Sequence, residues 1–333
     1  MGDAGPTAPE PASAPRTLAR LAAGQPIRIV CFGDSITGVY YHTGGRRAWG
    51  DVLGYCLQQE FPSARLELVN AGISGHTTVD ALGRLESDVL RATPDLVVVM
   101  FGMNDVVRVP ADDFHRNLSQ IAQRIREHGA EVILMTPNFI DPSDTLRPLD
   151  RIEAFMDIVR TVGRELRIPV ADTFRDFRSI HDADRWAWTR MLSDAVHPNL
   201  RGHVRFAELA ASALVGRPVH LRALPVLRPR LPCGMARLQA GQPLRIVAMP
   251  PFDAWIGPAL QALYPGTRVD VTPWVVAGKS VGEIEEQAKS IGWAKYRDQP
   301  GLPPPDLVLI AVPAGAPADS AEQFYRSYAW VLN

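Results

Sequence analysis

The sequence has no excess of charge of either sign, since 35 Lys and Arg against 36 Asp and Glu leave a formal net charge of −1. Such a balance supplies no basic field for a phosphate backbone or an anionic bilayer, so nucleic acid and membrane are excluded as partners. No apolar run reaches the ~18 residues that spanning a membrane requires. Cysteine is scarce as well: Cys31, Cys56 and Cys233 are too few and too scattered for a disulfide framework. Cys31 lies in an apolar run and Cys56 in a helical one, so both read as buried thiols, and a reducing cytoplasm is the favoured compartment. Metal-ligand spacings such as HExxH and CxxC are missing, and nothing calls for a metal or any other cofactor. A G-x-S-x-G elbow is missing too, which disfavours an α/β-hydrolase. Gly278-Lys279-Ser280 resembles the tail of a phosphate loop, but Pro273 stands where that loop needs glycine. The Ala-, Pro- and Gly-rich start lacks a basic segment and an apolar core, so residues 1–20 read as a disordered leader and not as a signal peptide.

What is present is an ordinary globular balance, 46% apolar and 21% charged, in a chain long enough for two domains. Short β-rich runs at 27–32, 66–69, 96–101, 131–135 and 169–171 alternate with helix-like stretches at 49–61, 79–90, 112–128, 149–166 and 202–214. Alternating βα units predict a parallel five-stranded sheet covered by helices on both faces. In such a sheet the ligand crevice lies beyond the C-terminal strand ends. This first domain spans 21–215. Pro218, Pro225, Pro229 and Pro232 then mark 216–237 as an extended linker or a strap along the first domain.

Beyond it, 238–333 reads as a shortened copy of the first domain. Ala23-Gly24-Gln25-Pro26-Ile27-Arg28-Ile29-Val30 recurs as Ala240-Gly241-Gln242-Pro243-Leu244-Arg245-Ile246-Val247, and Pro94-Asp95-Leu96-Val97 as Pro305-Asp306-Leu307-Val308. Phe61-Pro62 matches Tyr264-Pro265, and Gly75 matches Gly278. The copy stops at Asn333 within what its template makes a third helix, an ending that reads as truncation, with a partial domain leaning on the first as the alternative. It places Pro250-Pro251-Phe252 where the first domain has Gly33-Asp34-Ser35, and Gly315-Ala316 where it has Asn104-Asp105. A structural or substrate-binding role is left to it.

Four short blocks of the first domain fall where strands should end. Phe32-Gly33-Asp34-Ser35-Ile36-Thr37-Gly38 puts a serine on a tight turn into a helix, where its hydroxyl sits near the positive helix end. Asn70-Ala71-Gly72-Ile73-Ser74-Gly75-His76 brings glycines whose backbone N–H groups can approach a substrate oxygen. Phe101-Gly102-Met103-Asn104-Asp105 offers a side-chain amide to a developing oxyanion. Asp194-Ala195-Val196-His197 places a carboxylate where it can orient an imidazole that takes a proton from a serine. Each block alone also has an ordinary reading, as an N-cap, a glycine loop, a turn asparagine or a surface ion pair.

Together, in this order, the blocks resemble the SGNH, or GDSL-type, hydrolase superfamily over about residues 26–214, with Ile36 in place of the name-giving leucine. The resemblance implies a three-layer, flavodoxin-like α/β fold with a partial second α/β copy behind it. It also implies a serine esterase with Ser35 as nucleophile, His197 as general base and Asp194 orienting it. Its oxyanion hole would comprise the N–H groups of Ser35 and Gly75 and the amide of Asn104. The aromatic and basic insertion from Gly38 to Arg47 follows the nucleophile directly. Its Tyr40, Tyr41, His42 and Arg46, with Trp186 and Trp188, are candidates for substrate contact, as flat rings suit sugar faces and acyl chains alike. The expected substrate is a small-molecule or carbohydrate ester with a short acyl group, acetyl above all. An acyltransferase with the same triad and a non-catalytic glycan-binding module are the alternatives. Oligomeric state is not legible.

Overall fold

Strands form where β-branched and apolar residues run without interruption. Leu96–Met100, all five residues buried, is the middle of a sheet covered on both faces. The computed structural model describes residues 14–38, 41–44, 47–225, 231–291, 304–312 and 315–332. The chain divides into two units, Met1–Leu224 and Pro225–Asn333.

The first unit carries β1 (Pro26–Gly33), β2 (Arg65–Gly72), β3 (Leu96–Met100), β4 (Glu131–Met135) and β5 (Val170–Ala171), all parallel, in the order β2-β1-β3-β4-β5. Its helices are α1 (Pro15–Ala22), α2 (Ser35–Gly38), α3 (Trp49–Glu60), α4 (Thr78–Asp88), α5 (Asp105–Arg108), α6 (Ala111–Glu127), α7 (Leu149–Leu166), α8 (Thr173–Ala183), α9 (Arg185–Thr189) and α10 (Leu200–Val215). The chain moves from β1 outward to β2 and then back across to β3. Right-handed crossovers therefore put α3 on one face and α4, α6 and α7 on the other. Helix α6 buries Phe114, Leu118, Ile121, Ala122 and Ile125, an apolar stripe at helical spacing. Helix α10 turns Phe206, Ala207, Ala210, Ala211 and Leu214 inward, and it packs on α3, which buries Trp49, Val52, Leu53, Cys56 and Leu57. Cys31 and Cys56 are free and buried, as the sequence suggests.

Two boundaries differ from the sequence-based expectation. Residues 15–20 of the expected leader are helical, because Pro15 opens α1 at a position whose N–H no helix needs, and Leu21 enters the core at 1% exposure. The Glu131 carboxylate accepts from the N–H groups of Arg16 and Thr17, closing the helix start. The residues before Ala14 lie outside those described. At the other end, the first stretch of the expected linker belongs to the first unit as a strap. Val219 donates to Ser212 Oγ, Leu221 to Glu208 and Arg222 to Gln59. The last stretch of that linker is helical, in α11 (Pro232–Gln239).

The second unit has β6 (Leu244–Ala248), β7 (Val269–Pro273) and β8 (Leu307–Leu309), parallel in the order β7-β6-β8. Its further helices are α12 (Phe252–Leu263), α13 (Val281–Ile291) and α14 (Ala321–Leu332). Details recur between the units. Asp95 accepts from the backbone N–H of Arg28, and Asp306 accepts from that of Arg245. Arg20 pairs with Asp95, and Arg237 with Asp306. Thr77 and Asp80 form a reciprocal cap on α4, as Ser280 and Glu283 do on α13. Among the described residues, no helix is long and apolar enough to cross a membrane.

Candidate active site

The site is built on the C-terminal ends of β1, β2 and β3, where the sequence places its first three blocks. Strand β1 ends at Gly33, and the next turn opens α2 with Ser35 at its first residue. Asp34 caps that short helix: its carboxylate accepts from Ile36 N–H, and its carbonyl from Thr37 and Gly38 N–H. The turn lies hard against the end of β2. A Cβ on Gly38 would sit 2.2 Å from the Gly72 carbonyl oxygen, and one on Gly72 would sit 2.3 Å from Gly38 N, so neither position has room for a side chain.

Ser35 Oγ lies 3.0 Å from His197 Nε2, although 162 positions separate them. His197 Nδ1 lies 2.9 Å from Asp194 Oδ2 and 3.1 Å from Oδ1. With Nδ1–H donating to the carboxylate, Nε2 is left as the acceptor for the serine hydroxyl. The same carboxylate accepts from the backbone N–H groups of Val196 and His197, so it shapes the turn as well as the ring's direction. Burial pushes the Asp194 carboxyl up, but hydrogen bonds from the His197 ring, that ring's charge and the two N–H groups outweigh it and hold it at about 2. Asn138, in the loop after β4, donates to Val196 O, while Asn199 caps α10 and donates to the Arg190 and Leu192 carbonyls. These contacts fix the loop that carries the carboxylate and the ring.

Asn104 stands at the start of α5, and its side-chain amide donates to Asp34 Oδ2 at 3.2 Å and to His76 O at 3.1 Å. One asparagine thus ties together the first three blocks. Gly75 occupies the third position of the turn Ile73–His76, with φ at +78°, a conformation that a type II turn requires and glycine adopts without strain. Asp34 is 1% exposed. Burial raises its carboxyl to about 7 against the Ile36 N–H and the charge of His197, which lower it.

The candidate substrate residues divide. Trp188 is fully buried and its indole N–H donates to Phe139 O, so it belongs to the core and not to a substrate surface. His42 also departs from expectation: it is 2% exposed and stacks on the His197 ring, with centroids 4.1 Å apart and planes at 12°. Trp186 is 43% exposed on α9. Tyr40 and Arg46 lie outside the described residues, as does the side chain of Tyr41, whose backbone forms part of a 3-10 turn, Tyr41–Thr43.

One contributor escaped the sequence reading. Arg84, a buried residue of α4, donates to Gly33 O and Ala71 O, to His76 Nδ1 and to Asp88, and its guanidinium lies over the Phe32 ring. It stitches the ends of β1 and β2 together beneath the site. Its only signal was an arginine on the inward side of an amphipathic helix.

His42, Asp194 and His197 also bring three possible metal-ligand atoms within 4.8 Å of one another. Stacked imidazoles aim their lone pairs along parallel planes, however, so the two rings cannot converge on one ion without turning. His203 is engaged elsewhere, its Nδ1 accepting from Trp49 N–H. The second unit has no counterpart to this site: all eight histidines of the chain precede it.

The comparisons with known proteins agree with this geometry. The model of the GDSL-like lipase/acylhydrolase family matches residues 31–205, just over half of the chain. The chain is 28% identical over 203 residues to an acetylxylan esterase of Geobacillus stearothermophilus, covering 54% of this chain and 90% of that protein. It is 30% identical over 193 residues to the esterase TesA of Pseudomonas aeruginosa, covering 57% of this chain and 88% of that one. A solved variant of an acetyl xylan esterase from G. stearothermophilus superposes with a TM-score of 0.50 at 25% identity, over 60% of this chain and 97% of that chain. A parallel α/β sheet bearing these blocks at its strand ends, and a family match across them, make the chain a carboxylic ester hydrolase that belongs to the GDSL-like lipase/acylhydrolase family.

Proposed function

We propose that the protein hydrolyses short-chain carboxylic esters, acetyl groups on carbohydrates or small alcohols above all, through an acyl-enzyme on Ser35. The observation that carries this reading is the continuous chain from Ser35 Oγ to His197 Nε2 at 3.0 Å and from His197 Nδ1 to Asp194 at 2.9 Å. Neutral His197 takes the hydroxyl proton as Ser35 Oγ attacks the ester carbonyl. The carbonyl π bond opens to a tetrahedral oxyanion, met by the N–H groups of Ser35 and Gly75 and the amide of Asn104. Collapse of that intermediate breaks the bond to the alcohol, which leaves with the proton from His197. Water then repeats the sequence on the acyl-enzyme and frees the acid. Asp194 stays ionised throughout and balances the imidazolium.

The acetyl preference is supported by the acetylxylan esterases among the similar proteins. Two measurements test the proposal. A fluorophosphonate should label the wild type on Ser35 and leave Ser35→Ala unlabelled. Across p-nitrophenyl esters, kcat/KM should be highest for acetate, and a maximum beyond eight carbons overturns the short-chain reading.

A further inference from the structure

We propose that His42 is a positioning residue for the general base, a flat, uncharged platform that holds the His197 imidazole in the plane joining Asp194 to Ser35; this rests on the triad reading above. His42 belongs to the 3-10 turn Tyr41–Thr43, in the insertion that follows the nucleophile turn, and only 2% of its surface is exposed. Its ring lies face to face on that of His197 at 4.1 Å and 12°. Its Nδ1 is 3.1 Å from Ser193 Oγ, and the Ser193 N–H in turn donates to His197 O at 2.8 Å. The platform is therefore tied to the same loop as the ring it supports.

Two consequences follow from that stacking. Rotation of the His197 ring out of its working plane would drive its edge into His42, whereas small in-plane movements between Asp194 and Ser35 meet no obstacle. The second consequence concerns charge. Burial, and then the neighbouring charge of His197, lower the His42 pKa to about 3, with Asp194 opposing. His203, on α10 behind, is likewise lowered to about 3 by burial and by the charges of His42 and His197. When His197 takes the serine proton, it is the one cation among the three rings and lies over a neutral π face. The carboxylates facing it are Asp194 and, more distantly, Asp34.

The test compares kcat, KM and their pH dependence for the wild type, His42→Phe and His42→Leu. The leucine variant should lose roughly 10- to 100-fold in kcat with little change in KM. The acid limb of its kcat/KM should move down by about half a pH unit, as the imidazolium loses the π face. The phenylalanine variant keeps a flat ring and should recover most of the turnover, with its acid limb in place. Equal losses in both variants, or wild-type turnover in the leucine variant, overturn the inference. If the leucine variant fails to fold, His42→Gln takes its place. Slowed turnover at an unchanged Tm then supports the platform, and unchanged turnover refutes it. Fluorophosphonate labelling separates the two levels: an unlabelled wild type sinks the triad reading, while a labelled wild type with indifferent His42 variants sinks this one alone.

Discussion

Among single residues, the Asp34–Asn104 contact links two functions in one hydrogen bond. Asn104 holds Asp34 and His76 with the amide that the proposed mechanism turns toward the oxyanion. Loss of one such donor costs about 2.7–4 kcal/mol in comparable hydrolases, so Asn104→Ala should reduce kcat roughly 100- to 1,000-fold; near-normal turnover would remove Asn104 from the site. The buried carboxyl beside it makes stability depend on pH. Folded Asp34 keeps its proton up to about 7, whereas an unfolded aspartate releases it near the ordinary 3.8. Between those values the native state binds more protons, so the carboxyl's contribution to stability declines as pH rises through the window. Denaturant midpoints at pH 4.5 and 7.5 should differ less for Asp34→Asn than for the wild type. The cluster of Ser35, His197 and Asp194 was legible because its blocks are local: a serine after a strand-ending glycine, and a histidine three positions after an aspartate. His42 and Arg84 were not legible in these roles, because stacking on a ring and bridging two strand ends arise only once distant segments meet.

Among elements, long periodic helices and the five strands of the first sheet matched their sequence signals, and short or polar helices did not. Helix α7 carries the expected boundaries, Leu149–Leu166, with its apolar face at helical spacing. Helix α8 escaped notice because Phe174, Phe177 and Ile180 alternate with charged residues too thinly to stand out. Helix α1 escaped because its surroundings are rich in alanine and proline. Its Leu, Ala and Arg residues favour a helix, but eight residues hold one only when packed against the core. Leu21→Ala should accordingly lower unfolding stability by about 2–4 kcal/mol in urea titrations, and an unchanged midpoint would return the segment to the leader. Helices α3 and α12 make a similar contrast. The first buries Trp49, Val52 and Leu57, whereas α12 packs on β6 and β7 yet leaves Phe252, Trp255 and Leu263 exposed.

At the scale of the whole molecule, β7-β6-β8 of the second unit repeats the order β2-β1-β3 of the first, but only the first carries the four blocks. A single equivalent of fluorophosphonate should therefore saturate the intact chain, with Ser35 the modified residue in a peptide map. Lys279→Ala and Ser280→Ala should leave turnover unchanged, since the glycine that a phosphate loop needs is Pro273. The presence of two units was visible in sequence through one repeated octapeptide and one repeated tetrapeptide, both of which run into strands. The exact extents were not, because strap residues such as Val219 are fixed by partners on distant helices.

The Arg–Asp clamps lie at the N-terminal edge of each sheet, whereas the Ser35–His197–Asp194 cluster of the first unit occupies the opposite edge. Work on one margin need not disturb the other. Loops at the reactive margin can thus be lengthened, shortened or stripped of their chemistry while the fastening at the far margin keeps the strands in register, which makes that margin the natural place to graft a new specificity.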